Sequence, residues 1–272
     1  MTVDGVSPDY KAICICGSCG FPISATAARI IMVGKALQQS GIPLRVLHCG
    51  PSPIAINKKS SGSYDGIAFQ YTTSVKWSRS KLVRILNYAR SLVAVTRYLA
   101  EAWPHRRSTV VYLYVMDGLM NLCLGAICQL LGFTVIQELC EWPPISSNPS
   151  VVNRLLYKGR IFRCATGALV ISKAIEHHVR RICAKKEIDI VVHRLPVLVD
   201  AQRFAAAPGN PKQSPDPTFV YCGTWLKDVL FVIRALAQVR RAGFDCKLMI
   251  IGEHGQKNET RGSSSEPAKS GV

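Results

Sequence analysis

Two kinds of residue in this sequence could do chemistry on a polar substrate: a carboxylate pair, and glycine loops that precede helices. Glu138 and Glu141 stand where the apolar strand pattern of residues 133–139 gives way to a loop closed by Pro143-Pro144. Carboxylates so placed could bind substrate hydroxyls or act as a general base. Loop carboxylates that offset nearby Arg and Lys are the alternative. Asp117 has the same placement after the strand pattern of residues 110–115. Gly17, Gly20 and Phe21 belong to a loop between an apolar run and a helix, where free backbone N–H groups and the helix dipole favour an anion. Gly223, Thr224 and Lys227 repeat that arrangement before a helix beginning near Asp228, with Lys227 able to reach a phosphate as a point charge. Neither loop carries the GxGxxG pattern of a dinucleotide site. Either could also serve only as a tight turn.

The elements that must hold these loops alternate regularly. Residues 12–16 (AICIC) suit a buried strand. Ser24 or Thr26 can cap a helix over residues 27–39, with Ile31, Met32, Ala36 and Leu37 at helical spacing and Gly41 as its stop. A strand follows at 44–47, and the right-handed crossover rule makes the unit a parallel βαβ. Residues 57–66 read as a surface loop and 67–71 as a strand. A long helix is expected over 76–102, with Leu82, Leu86, Ala89, Val93 and Leu99 on one side and Lys76, Arg79, Arg90 and Arg97 in a basic sector beside them. Then come a strand (110–115), a helix (119–131) stopped by Gly132, a strand (133–139), a helix (151–164), a strand (168–171), a helix (173–184) and a strand (188–192). After a connector at 195–200 and a Pro-rich linker at 208–217, the alternation restarts as strand 218–222, helix 228–241, Gly243 and strand 246–251. The fold class is therefore α/β with a mostly parallel sheet. Residues 1–200 form a Rossmann-like domain, 201–255 the start of a second one, and 256–272, with Ala268 and Val272 as the sole apolar residues, an expected disordered tail.

The 272 residues are 48% hydrophobic, enough for a sizeable core, and carry a formal charge of +17. That charge favours nucleic acid, phosphorylated substrates or anionic lipid. With no RRM, helix-turn-helix or zinc pattern, nucleic acid is not expected. The basic residues concentrate in two stretches. Residues 154–194 hold ten Lys or Arg against Glu176, Glu187 and Asp189, and residues 76–107 hold eight against Glu101. Both are solvated faces or a peripheral contact with an anionic membrane. Eleven cysteines without a signal sequence at the start read as reduced thiols, hence a cytoplasmic location, with the inner face of the membrane as the site of any peripheral contact. Cys14, Cys16 and Cys19 lack a second Cys/His knuckle, so no metal site is expected. His177 and His178, adjacent on a helix, face apart and read as exposed polar residues. The apolar stretch 119–136 is divided by Gly125 and Gly132 into helix and strand, which favours a buried core over a membrane span.

The order of these features resembles the glycosyltransferase family 4 (group 1) enzymes. Gly20-Phe21-Pro22 through Arg29, Lys35-Ala36-Leu37, Gly41 and Val46 is similar to the opening of that family. Residues 195–200 with Arg203-Phe204 are similar to its interdomain connector, lacking the usual Asn and Gly. Tyr221-Cys222-Gly223, Lys227-Asp228, Ala235-Leu236 and Met249-Ile250-Ile251-Gly252 resemble the start of its donor domain. The resemblance implies a GT-B fold of two Rossmann-like domains. It also implies retaining transfer of a sugar from a nucleotide-sugar donor to a glycan or lipid-linked acceptor, with no essential metal and no cofactor besides the nucleotide-sugar co-substrate. Lys227 corresponds to the lysine on the donor diphosphate, while Thr224 stands where an arginine is usual. The family's E-x7-E donor region has no counterpart, since Pro267 lies eight residues after Glu259. The expectation is therefore an incomplete glycosyltransferase, inactive alone. The alternative is a Rossmann-like binding module that has lost its donor site.

Overall fold

The computed structural model describes residues 11–17, 20–22, 24–52, 59–76, 78–142, 150–201, 217–222 and 229–251. The chain divides into two units, Met1–Phe204 and Ala205–Val272.

In the first unit β1 (Ala12–Cys16), α1 (Ala25–Gln39) and β2 (Leu44–His48) form the expected parallel βαβ, followed by β3 (Ser61–Tyr64), β4 (Ile67–Tyr71) and α2 (Lys81–Glu101). Next come β5 (Val110–Tyr114), α3 (Gly118–Leu130), β6 (Thr134–Leu139), α4 (Val151–Leu156), β7 (Gly167–Val170), α5 (Lys173–Lys185) and β8 (Val191–Arg194). These strands make one sheet in the order β3-β4-β2-β1-β5-β6-β7-β8, parallel except for the β3–β4 pair. Strand order reverses between β1 and β5, the place where open α/β sheets hold ligands at the carboxyl ends of their strands.

The two-residue period of β1 divides the core. Cys14 and Cys16 pack with Ile30 and Ile31 of α1 on one face, and Ile13 and Ile15 pack with Val95, Leu99 and Leu124 of α2 and α3 on the other. Coverage on both faces is why β1 reads as an unbroken apolar run. A third cluster beneath β7 gathers Leu139, Tyr157, Phe162 and Val179. Gly41 and Gly132 end α1 and α3 with φ of 70° and 77°, the left-handed conformation that a side chain disfavours.

Four elements depart from the sequence reading. The expected loop at 57–66 contains β3, paired with β4 through a two-residue turn at Asp65 and Gly66, whose φ values are 51° and 79°. Positive φ at both central positions is the turn that suits the twist of a hairpin, and Asp-Gly is its sequence signal. The expected helix at 151–164 stops at Leu156, and Gly159, with φ of 132°, separates it from a 3₁₀ turn at Arg160–Cys164. The strand expected at 188–192 lies later, at Val191–Arg194. The long helix begins at Lys81, and its buried residues are Asn87, Ser91, Val95 and Leu99, with Leu82, Leu86 and Val93 exposed. Buried hydrogen bonds set that rotation: the Ser91 hydroxyl donates to the Cys49 carbonyl (3.0 Å) and accepts from Thr72 (3.0 Å).

In the second unit β9 (Thr218–Cys222), α6 (Val229–Arg241) and β10 (Lys247–Ile251) form another parallel βαβ, Thr218 aligned with Lys247. Gly243 ends α6 with φ of 89°. Among the described residues no helix is long and apolar enough to cross a membrane.

Candidate functional site

A cavity of about 280 Å³ opens at the carboxyl ends of β1, β5 and β6 in the first unit. Gly17 follows β1, and its amide donates to the Tyr114 carbonyl (3.1 Å), tying the two strands together where the order reverses. Tyr114 ends β5 and Val115, Met116 and Asp117 leave it along one wall, Cys140 and Glu141 leave β6 along another, and Thr26 of α1, Cys49 after β2, Tyr88 of α2 and Met120 of α3 complete the lining. Each wall residue follows directly from a parallel strand or heads a helix, so the topology itself assembles the site.

Asp117 caps α3, its Oδ1 accepting from the Met120 amide (2.8 Å). Cap and cavity wall are thus one residue. Glu141 is exposed and lines the same cavity. Burial, then the hydrogen bond with Cys140, pushes the Tyr114 phenol up. Burial, then the charge of Asp117, does the same to Tyr88. Burial and the neighbouring Glu138 push the Cys140 thiol up to about 12. These phenols and this thiol are therefore neutral at pH 7, able to donate hydrogen bonds beside two carboxylates that accept them. Such a lining, with methionine on one side, matches a hydroxylated ligand with an apolar part.

The structure does not bring Glu138 and Glu141 together as a pair. Glu138 is 1% exposed and turned into the interior. Its Oε1 accepts from Arg29 Nε (2.9 Å) and from the Cys140 thiol (3.1 Å), and its Oε2 accepts from the Tyr112 hydroxyl. Arg29 also donates to the carbonyls of Leu195 (2.7 Å) and Pro196 (2.8 Å). Burial would lower the Arg29 pKa, but Glu138, Cys140 and Tyr112 outweigh it and hold the guanidinium charged. Here Glu138 joins β6, β5, α1 and the connector, while Glu141 faces the cavity.

Gly17 lines the cavity, whereas Gly20 is buried and Phe21 is fully buried, packed 5.2 Å from both the His48 and Phe69 rings. Tyr71 donates to the Phe21 carbonyl (3.1 Å). Phe21 thus seats the glycine loop in the core. Gly223, Thr224 and Lys227 lie outside the described residues, as does Cys19. Among the described residues no group of three or more His, Cys, Asp or Glu could hold a metal ion. His178 stacks edge-on against Trp142, ring centroids 4.3 Å apart. Sequence reasoning missed Tyr88, Tyr114 and Met116, which carry no motif. Their signal was positional: Tyr114 and Met116 end the strand beside β1.

No family model matches the chain, and no curated protein matches it in sequence. Solved structures do match in fold. The Phytolacca americana glycosyltransferase UGT2, complexed with UDP-2fluoro-glucose and pterostilbene, aligns with a TM-score of 0.55 at 10% identity, over 90% of this chain and 71% of its own. The catalytic domain of starch synthase IV from Arabidopsis thaliana, bound to ADP and acarbose, aligns with a TM-score of 0.54 at 10% identity, over 89% of this chain and 68% of its own. Anabaena HepE in complex with UDP gives a TM-score of 0.53 at 12% identity, over 89% of this chain and 69% of its own. The chain has a Rossmann-like α/β fold with a mostly parallel sheet, similar to that of GT-B glycosyltransferases.

Proposed function

We propose that this chain is a glycosyltransferase polypeptide of the retaining, family 4 type, in which the first unit receives a glycan or lipid-linked acceptor and the second receives the nucleotide-sugar donor. The observation that carries the proposal is the cavity at the β1–β5 switch point, walled by Asp117 and Glu141, in a fold similar to structures that hold UDP or a UDP-sugar. In the transfer, the bond between the anomeric carbon and the diphosphate oxygen breaks. A bond forms from that carbon to the oxygen of an acceptor hydroxyl, whose proton passes to the departing nucleoside diphosphate. In the first unit Glu141 accepts a hydrogen bond from the attacking hydroxyl and Asp117 orients a neighbouring one. In the second unit Lys227 is the candidate contact for the donor diphosphate.

The test is incubation with a panel of uridine, adenosine and guanosine diphosphate sugars, reading nucleotide binding by calorimetry and diphosphate release with and without oligosaccharide or polyprenyl-phosphate acceptors. Release that depends on acceptor and falls in Glu141→Gln is the expected result. Binding without release keeps the donor assignment and overturns transfer by this chain alone. No binding to any member overturns the donor assignment.

A further inference from the structure

The turn that leads from β5 into α3 and carries Asp117 is held by side chains that do not belong to it. Asn121 Nδ2 donates to the Val115 carbonyl (2.8 Å), the Tyr157 hydroxyl donates to the Met116 carbonyl (3.1 Å), and the Gly118 amide donates to Asn153 Oδ1 (2.9 Å). Asp117 itself gives Oδ1 to the Met120 amide (2.8 Å) and keeps Oδ2 for a ligand. A Cβ on Gly118 would lie 2.9 Å from that Asn153 oxygen and 3.3 Å from Leu156 Cβ, so a glycine lets α3 approach α4 this closely. Tyr157 follows α4 directly and is fully buried, in the cluster with Leu139 and Phe162. Its ring meets Trp142 edge-on, centroids 5.6 Å apart, and Trp142 is the residue after Glu141. Tyr157 therefore reaches both carboxylate walls of the cavity through one neighbour on each.

We propose that Tyr157 is the positioning residue of the cavity, setting how far apart Asp117 and Glu141 stand; that their separation matters for an acceptor rests on the sugar-transfer reading. Tyr157 does not line the cavity and acts through its neighbours. A tyrosine suits the task because its hydroxyl stands at a fixed distance from its ring, and full burial locks the ring in place. The hydroxyl and the ring serve different walls, so substitution separates them. Loss of the hydroxyl frees the Met116 carbonyl and loosens the Asp117 wall, while the ring still supports Trp142 and the Glu141 wall. A displacement of about 1 Å at groups that hold a reacting hydroxyl is enough to cost on the order of a hundredfold.

The experiment is amide hydrogen exchange on the full chain and its variants, with acceptor kinetics on the same samples. Tyr157→Phe keeps the buried ring and should speed exchange across residues 116–121 about fivefold, leaving β5 unaltered. Asn153→Ala, at a partly exposed position, should loosen the same residues. Tyr157→Phe should also raise the acceptor KM about fivefold or more, with kcat changed less and nucleotide binding in calorimetry unaltered. In the Asp117→Asn background it should add little, because it works through Asp117, whereas a residue that only stabilises the fold would add its full effect. Unchanged exchange in both variants overturns the positioning, whether or not transfer is found. Faster exchange with an unaltered acceptor KM, or an equal effect with and without Asp117, overturns the link to the cavity. Absence of transfer by the unaltered chain counts against the sugar-transfer reading, and exchange then decides the positioning by itself.

Discussion

Arg29 and Glu138 form an ion pair at 2.9 Å with side chains 7% and 0% exposed, joining α1 to the end of β6 across 109 residues of sequence. Two charges so far from water persist because each is also hydrogen-bonded: Arg29 to two connector carbonyls, Glu138 to Tyr112 and Cys140. Arg29→Met leaves a buried carboxylate unpaired and should destabilise the first unit by about 3–5 kcal/mol in urea unfolding. Arg29→Met/Glu138→Leu should recover much of that loss. A single-variant loss under about 1 kcal/mol would mean that the pair is not what holds β6 to α1.

Alkaline pH should weaken the fold. Burial raises the thiols of Cys128 and Cys140 from 9.0 to about 12, and raises Cys49, Cys164 and Cys183 as well. Above pH 9.0 these thiols lose protons in the unfolded chain but keep them in the folded one. The unfolded state then binds fewer protons, so stability is intact below pH 9.0 and falls as pH rises toward about 12. A melting temperature flat from pH 7 to about 8.5 and declining above it is expected. Cys128→Ala should reduce the slope. A flat profile to pH 11 would contradict the assignment.

At the cavity, Glu141→Gln removes charge from an exposed wall residue and should leave melting unchanged while lowering acceptor affinity or turnover about tenfold or more. Asp117 separates its two roles by substitution. Asp117→Asn keeps a capping oxygen and should cost activity with little stability, whereas Asp117→Ala should also cost about 1 kcal/mol of stability. Equal activity in Asp117→Asn and the unaltered chain would remove Asp117 from ligand binding.

Phe21→Ala empties a fully buried site between His48 and Phe69 and should cost about 3–5 kcal/mol. Because Gly17 lies in the same loop, ligand affinity at the cavity should fall along with stability. Phe21→Leu, closer in volume, should restore most of both.

Much of the fold was legible because local chemistry and topology agree. Gly41, Gly132 and Gly243, read as helix stops, all hold positive φ. β1, β4 and β9 lie where their apolar patterns placed them. The orientation of α2 was not legible, since apolar residues lie on both of its sides. Ser91, with partners at Thr72 and Cys49, turns the less apolar side inward. β3 was obscured by its composition, Ser-Gly-Ser-Tyr, although Asp65-Gly66 announced the turn. At the site, strand-end carboxylates were visible but their directions were not. A residue at the end of β6 can face the cavity or the interior, and Arg29, brought in from 109 residues away, settles that for Glu138.

The sheet terminates on strands that discourage recruitment of further strands. β3 and β8 have four residues each; β3 is exposed throughout, and β8 ends in exposed His193 and Arg194. Such short margins give an incoming chain few backbone partners and, apart from Tyr64 and Val191, little apolar surface to align on. The strongly apolar strands β1 and β5 occupy the middle, each already flanked on both sides. Within the first unit the apolar strands best suited to form fibrils are thereby sequestered while it stands, whereas β9 and β10 make a two-stranded sheet with Phe219, Val220, Met249 and Ile251 exposed, so aggregation should start in the second unit.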